Sequence, residues 1–202
     1  MNRLLLTTSL LGLAPLVAPA LTIDIDAEKL KDAAGTPMPV SGLVVLTAGT
    51  SGTFPGPTPQ SFASGDEIVL KKWNLSAFST PGVLQETTGE LAFTGMWNEG
   101  DPLRLYWYPT LTLGSPEPSF GTPYGAYRDA VGLDGSAPWT TPAPGDLIAL
   151  KFLTSDATFL STGGSNPSQT GNASFTVVPE PGSALMSLLG LAAIGLRRRH
   201  RR

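Results

Sequence analysis

The sequence has no cysteine, and its single histidine, His200, lies next to the C-terminus. No disulfide can brace the chain, so an apolar core must hold it together. Cysteine and histidine are the side chains most used for nucleophilic catalysis, proton transfer near neutral pH and zinc binding. Their absence between residues 21 and 178 excludes Ser-His-Asp and Cys-His chemistry there. Basic residues are also scarce in that span: Lys29, Lys31, Lys71, Lys72, Arg104, Arg128 and Lys151 face fifteen acids, a net charge of −8. A body this acidic repels phosphate backbones, so no nucleic-acid partner is expected. No stretch of the body keeps a 3.6-residue apolar period for three turns, and 23 glycines and 19 prolines in the chain disfavour long helices.

What the body does contain is a series of short β-branched and aromatic runs separated by Gly, Pro, Ser and Thr. Strands are predicted at 22–26, 43–48, 67–75, 90–97, 103–108, 147–154 and 174–178. The alternation in LTIDID puts Ile23 and Ile25 on one face and the aspartates on the other. The fold class is all-β, a single sandwich of jelly-roll-like or immunoglobulin-like type spanning residues 21–176. The Gly- and Pro-rich stretch 114–144 reads as a long loop, yet its Phe120, Tyr124, Tyr127 and Trp139 imply that it packs on the sandwich.

Three constellations are candidates for chemistry. In FTGMWNEGDPLRLYWYPTLTL, strand alternation sets Tyr106 and Tyr108 on one face and Trp107 on the other. Exposed rings could stack on sugars, with Trp97, Trp107, Tyr124 and Trp139 as candidate sugar-binding residues; the competing expectation is that the rings fill the core. Glu90, Glu99 and Asp101 lie near these aromatics and are the candidates for a carboxylate-pair glycoside hydrolase, which needs no histidine. Sequence proximity alone does not set two acids across a cleft, so no catalytic residue is assigned. Asp66, Asp101 and Asp146 each follow a glycine at a strand start and could hold Ca2+ at one end of the sandwich, but single loop acids rarely suffice for a hard cation. No other cofactor or metal is expected.

The two ends read as addresses. Residues 1–20 carry one positive charge, Arg3, then an apolar stretch, then Ala18-Pro19-Ala20, the small-x-small pattern of a signal-peptidase site. At the other end, Pro179-Glu180-Pro181 precedes a weakly polar to apolar run from Ser183 through Leu185, Leu188, Leu189, Leu191 and Ile194 to Leu196. Arg197, Arg198, Arg199, Arg201 and Arg202 follow it. As a helix the 14 residues of that run span about 21 Å, short for a hydrocarbon core of about 30 Å. Snorkelling basic residues ease the mismatch, and the arginine cluster holds its end in the cytoplasm.

This three-part ending resembles the PEP-CTERM sorting signal of exported proteins of Gram-negative-type bacteria that make extracellular polysaccharide. The resemblance covers 177–202 and implies that Pro179, Glu180 and Pro181 are recognised by an exosortase, a membrane-embedded transpeptidase-like enzyme. Ser183–Leu196 would then be the membrane helix and the arginines the cytoplasmic stop. The implied partners are signal peptidase, the exosortase and the membrane. The implied route is export with inner-membrane anchoring, the body outside the cytoplasm, then the cell surface or matrix. The expected function is a non-enzymatic structural or adhesive envelope component associated with extracellular polysaccharide; the alternatives are the sugar-binding module and the hydrolase.

Overall fold

The sequence LTIDID begins the structure as it begins the body. In the computed structural model, which describes residues 20–178 apart from 29, 53, 76–79, 93–94, 130–131, 133–135 and 154–170, β1 (Ala20–Glu28) buries Leu21, Ile23, Ile25 and Ala27 and turns Thr22, Asp24, Asp26 and Glu28 outward. It is the central strand of the first sheet. On one side lies β8 (Leu147–Leu153), parallel to it from Thr22↔Leu147 to Glu28↔Leu153. On the other lie β4 (Leu84–Thr87) and β5 (Leu91–Ala92), both antiparallel. These two form one interrupted edge. At the break, Thr88 N–H donates to Ile23 O (2.9 Å) and Thr88 Oγ1 accepts from Ile23 N–H (3.0 Å). A hydroxyl thus replaces a ladder carbonyl, and no buried amide of β1 goes unmet there.

The second sheet has the order β3-β2-β6-β7-β9 and is antiparallel throughout, with β2 (Leu43–Gly49), β3 (Glu67–Asn74), β6 (Leu103–Tyr108), β7 (Pro123–Tyr127) and β9 (Phe175–Thr176). β2 and β6 are buried along their whole lengths because both faces of this sheet are covered. In EIVLKKWN the alternation breaks, and the pairing with β2 shifts between Leu46 and Thr47. That bulge lets Ile68, Leu70 and Trp73 all reach the space between the sheets.

Two apolar clusters result. The larger fills the space between the sheets: Ile23, Ile25, Leu150 and Phe152 meet Val44, Leu46, Leu105, Trp107, Tyr127 and Trp139. Tyr127 stacks on Phe152 at 3.8 Å, and Trp139 meets Tyr127 edge-on at 5.1 Å. Burying each such ring contributes about 1.5–3 kcal/mol. The smaller cluster covers the far face of the second sheet with Leu43, Val45, Phe62, Tyr106, Tyr108 and Ala126. Tyr106 and Tyr108 therefore face away from Trp107, as alternation predicts.

Two expectations need correction. Of the strand read across 90–97, Leu91–Ala92 is strand, paired with Ala20 and Leu21 of β1, and 95–97 are not. The stretch read as a long loop contains β7, which pairs with β6 despite its proline and glycine. Gly125 explains the latter. It faces Trp107 in register, and a Cβ there would lie 2.0 Å from Trp107 Cε2, so the indole occupies the space a side chain would take. The indole N–H then donates to Lys31 O at 3.1 Å.

The described fold runs from Ala20, whose carbonyl accepts from Gly145 N–H (2.6 Å), to Val178. Val177 is fully buried and exchanges backbone bonds with Gly121 and Thr122, both at 2.9 Å. Packing therefore carries the body one residue past 176. Ala18, the PEP residues, the run Ser183–Leu196 and the arginines lie outside the described residues. Replacing Gly125 with alanine should lower stability by about 1–3 kcal/mol or more through overpacking, read as an earlier midpoint in urea unfolding; an unchanged midpoint would mean that Trp107 repacks freely.

Candidate functional site

Of the four aromatics considered for sugar stacking, Trp107 and Trp139 are fully buried and Trp97 is 4% exposed. All three belong to the cluster between the sheets, so none presents a face to solvent. The expectation of a surface stacking platform is corrected at these positions: between two sheets, rings gain more by filling the core than by waiting for a ligand. Tyr124 alone is half-buried, on the far face of the second sheet, with its ring 5.5 Å from Phe175 and 5.9 Å from Tyr106. Glu90 and Glu99 are exposed. The loop aspartates serve their own turns: Asp66 accepts from Thr50 Oγ1 (2.8 Å) and from Ser51 N–H, and Asp101 accepts from Asn98 N–H (2.7 Å). The two hydroxyl and amide donors of residues 50–51 hold the Asp66 carboxyl below its ordinary value. Among the described residues no group of three or more His, Cys, Asp or Glu side chains could hold a metal ion.

Sequence reading missed the polar cluster on the far face of the second sheet. Glu67, at the start of β3, is only 7% exposed, and its Oε1 accepts from Tyr106 O–H at 2.6 Å and from Thr47 Oγ1 at 3.2 Å. Arg104, on β6 opposite Thr47, donates from one guanidinium nitrogen to Phe54 O at 3.2 Å and lies 4.4 Å from the Phe54 ring. Arg128 also rests against that ring, at 5.1 Å, and donates to Gly52 O at 2.9 Å. Both arginines of the body thus pin one segment, Gly52–Gly56, over the sheet. The signal was present in LRLYWY, whose alternation sets Arg104, Tyr106 and Tyr108 on one face; the position of Glu67 was not, because it depends on pairing between β2 and β3.

Burial dominates the electrostatics of this cluster. It raises the Glu67 carboxyl above its ordinary 4.5, against the opposing pull of the Tyr106 hydrogen bond and the Arg104 charge. It also pushes the Tyr106 hydroxyl far above its ordinary value, with the Glu67 charge adding to the effect. A phenol that does not ionise and a carboxylate bound by two hydroxyls are suited to bracing a loop. Beside them lies a pocket of about 230 Å³ walled by Phe54, Gly56, Arg104, Tyr124 and Phe175. Gly56 has φ +93° and a Cβ there would lie 2.8 Å from the Tyr124 hydroxyl, so only glycine fits.

The outward face of the first sheet has a different character. A groove of about 400 Å³ crosses it, lined by Asp24, Asp26, Gln85, Thr87, Ala149 and Lys151. Register brings them together: Asp24 faces Thr87 and Ala149, and Asp26 faces Gln85 and Lys151. Gln85 Nε2 donates to Asp26 Oδ1 at 3.4 Å. The groove offers carboxylates, an amide, a hydroxyl and an ammonium, and no aromatic ring.

The architecture defines a class: an all-β body of two sheets, folded to within two residues of a Pro-Glu-Pro sequence. Residues 177–202 match the family described as the PEP-CTERM protein-sorting motif, so the chain carries that sorting motif. The motif marks an exported, membrane-processed cell-surface protein handled by an exosortase-like enzyme. No curated protein and no solved structure matches the chain.

The raised Glu67 carboxyl sets a testable pH dependence. A carboxyl with a folded value above its unfolded one binds more protons in the native state, so its contribution to stability falls as pH rises from about 4.5 through the raised value. Glu67→Gln keeps an acceptor for Tyr106 and removes that titration. Denaturant unfolding from pH 4 to pH 8 should shift the stability difference in favour of the variant as pH rises; parallel profiles would refute the buried carboxylate.

Proposed function

We propose that this is an exported structural or adhesive protein of the cell surface or extracellular matrix, with a non-enzymatic body associated with extracellular polysaccharide. The observation that carries the reading is the sorting motif at 177–202. In this account signal peptidase cleaves after Ala20. The run Ser183–Leu196 holds the chain in the inner membrane with the body outside the cytoplasm. The arginines stop translocation, and the exosortase-like enzyme acts at Pro179-Glu180-Pro181.

The internal chemistry supports a structural body. It has no cysteine and no histidine. Its tryptophans serve the core, and its buried Glu67, Tyr106 and Arg104 brace a loop. A body packed this way resists unfolding without disulfides, which suits display outside the cell.

A second reading, a carbohydrate-binding module, is favoured by the groove on the first sheet. Asp24, Asp26, Gln85, Thr87 and Lys151 alternate acceptors and donors across an open face, and sugar hydroxyls are matched by such a pattern. Without a ring to stack on, binding would rest on hydrogen bonds and be weak per site, so it would depend on many displayed copies.

Two experiments test these readings. Pro179→Ala with Glu180→Ala should leave the protein unprocessed in the membrane fraction, whereas the parent loses its C-terminal segment by intact mass; identical processing of both would remove the sorting account. The processed protein released from cells should be retarded in affinity electrophoresis through the organism's own polysaccharide. Asp24→Ala with Asp26→Ala should abolish that retardation if the groove is the site. No retardation of the parent would end the polysaccharide association and leave export and sorting intact.

A further inference from the structure

The exposed apolar side chains of the body are unevenly placed. Among the described residues, the large hydrophobic side chains that face solvent are Val40 (38%), Met96 (61%), Leu113 (53%), Phe120 (70%), Leu147 (62%) and Val178 (57%). Scattered singly, such residues need no explanation. Strand register sorts these into two ends. Leu43 pairs with Tyr108 and Asn74, and Pro123 pairs with Thr176, so residues 40–43, 108–123 and 176–178 share one end of the second sheet. Val40, Leu113, Phe120 and Val178 belong to that end. Met96 and Leu147 belong to the other, with Ala20, which pairs with Ala92 and accepts from Gly145 N–H, and with Thr22, which pairs with Leu147.

The end that carries four of the six is also where the chain leaves the fold. Val177 is locked to Gly121 and Thr122, which puts Phe120 beside the exit. From Val178 to Ser183 the chain can reach at most about 18 Å, taking five residues at about 3.6 Å each. A body on so short a tether cannot stand away from the bilayer that holds the next segment.

We propose that, while the chain is anchored, this end of the body rests on the lipid surface, with Phe120 and Leu113 entering the boundary between headgroups and acyl chains. The inference rests on the membrane-anchored reading above. Aromatic side chains favour that boundary because a ring is apolar and polarisable where water thins out. Glu117, exposed in the same loop, keeps the contact shallow and suits zwitterionic rather than anionic lipid. The body then stands upright, with β1 starting at its outer end and the Asp24–Lys151 groove on its flank. The Pro-Glu-Pro sequence is held at the membrane surface, where a membrane-embedded enzyme can reach it.

The four native tryptophans, Trp73, Trp97, Trp107 and Trp139, are all buried, at 7% exposure or less. A tryptophan placed at position 120 therefore reports on lipid contact by itself. The full-length chain is reconstituted in phosphatidylcholine vesicles with or without bromine on the acyl chains. Phe120→Trp should lose emission in the brominated vesicles, while Met96→Trp at the opposite end and the parent should not. If the protein floats with the vesicles and Phe120→Trp is unaffected, or if both variants are quenched alike, the docking is refuted and the anchor stands. If the protein does not float with the vesicles, the anchor fails and the docking with it.

Discussion

The structure depends on the contact between Trp107 and Gly125. An indole lying across a neighbouring strand needs a position with no side chain, and Gly125 supplies it at the register where β7 meets β6. With the ring seated, its N–H reaches Lys31 O, and Phe152 packs 5.7 Å from it. One glycine thus lets the second sheet carry its largest side chain inward, toward β1 and β8. Without disulfides, this aromatic layer between the sheets is the main restraint available.

The same economy explains where ligands can and cannot go. A core that uses Trp97, Trp107 and Trp139 has none left for recognition. The second sheet is covered on both faces, inward by the aromatic layer and outward by a smaller cluster, beside which Glu67 holds Tyr106 while Arg104 and Arg128 hold Phe54 and Gly52. Burial of that carboxyl costs desolvation, offset by two hydroxyl donors and the guanidinium charge. On the first sheet, the strand alternation that buries Ile23 and Ile25 turns Asp24 and Asp26 outward.

Polarity along the molecule follows from chain connectivity. β1 starts at one end, and Val177 closes the fold at the other. The ends of the body that adjoin residues 1–19 and the sorting motif are thus set apart by the length of a strand. Exposed apolar groups gather at the end nearest the sorting motif.

Local pattern determined the strands β1, β2, β6 and most of β3 and β8, because their alternation or unbroken β-branched runs are written in adjacent residues. It also determined the opposed faces of Tyr106 and Trp107, and the sorting signal, a linear motif read without a fold. What only tertiary structure decided was everything that needs two distant segments to meet. The β1–β8 pairing, the Glu67–Tyr106–Arg104 cluster and the strand β7 arise from contacts between segments as far apart as Thr22 and Leu147, which no local period encodes. The choice between buried and exposed tryptophans belongs here too. A strand specifies that Trp107 and Tyr106 point opposite ways; which face is the interior depends on the second sheet that comes to cover it.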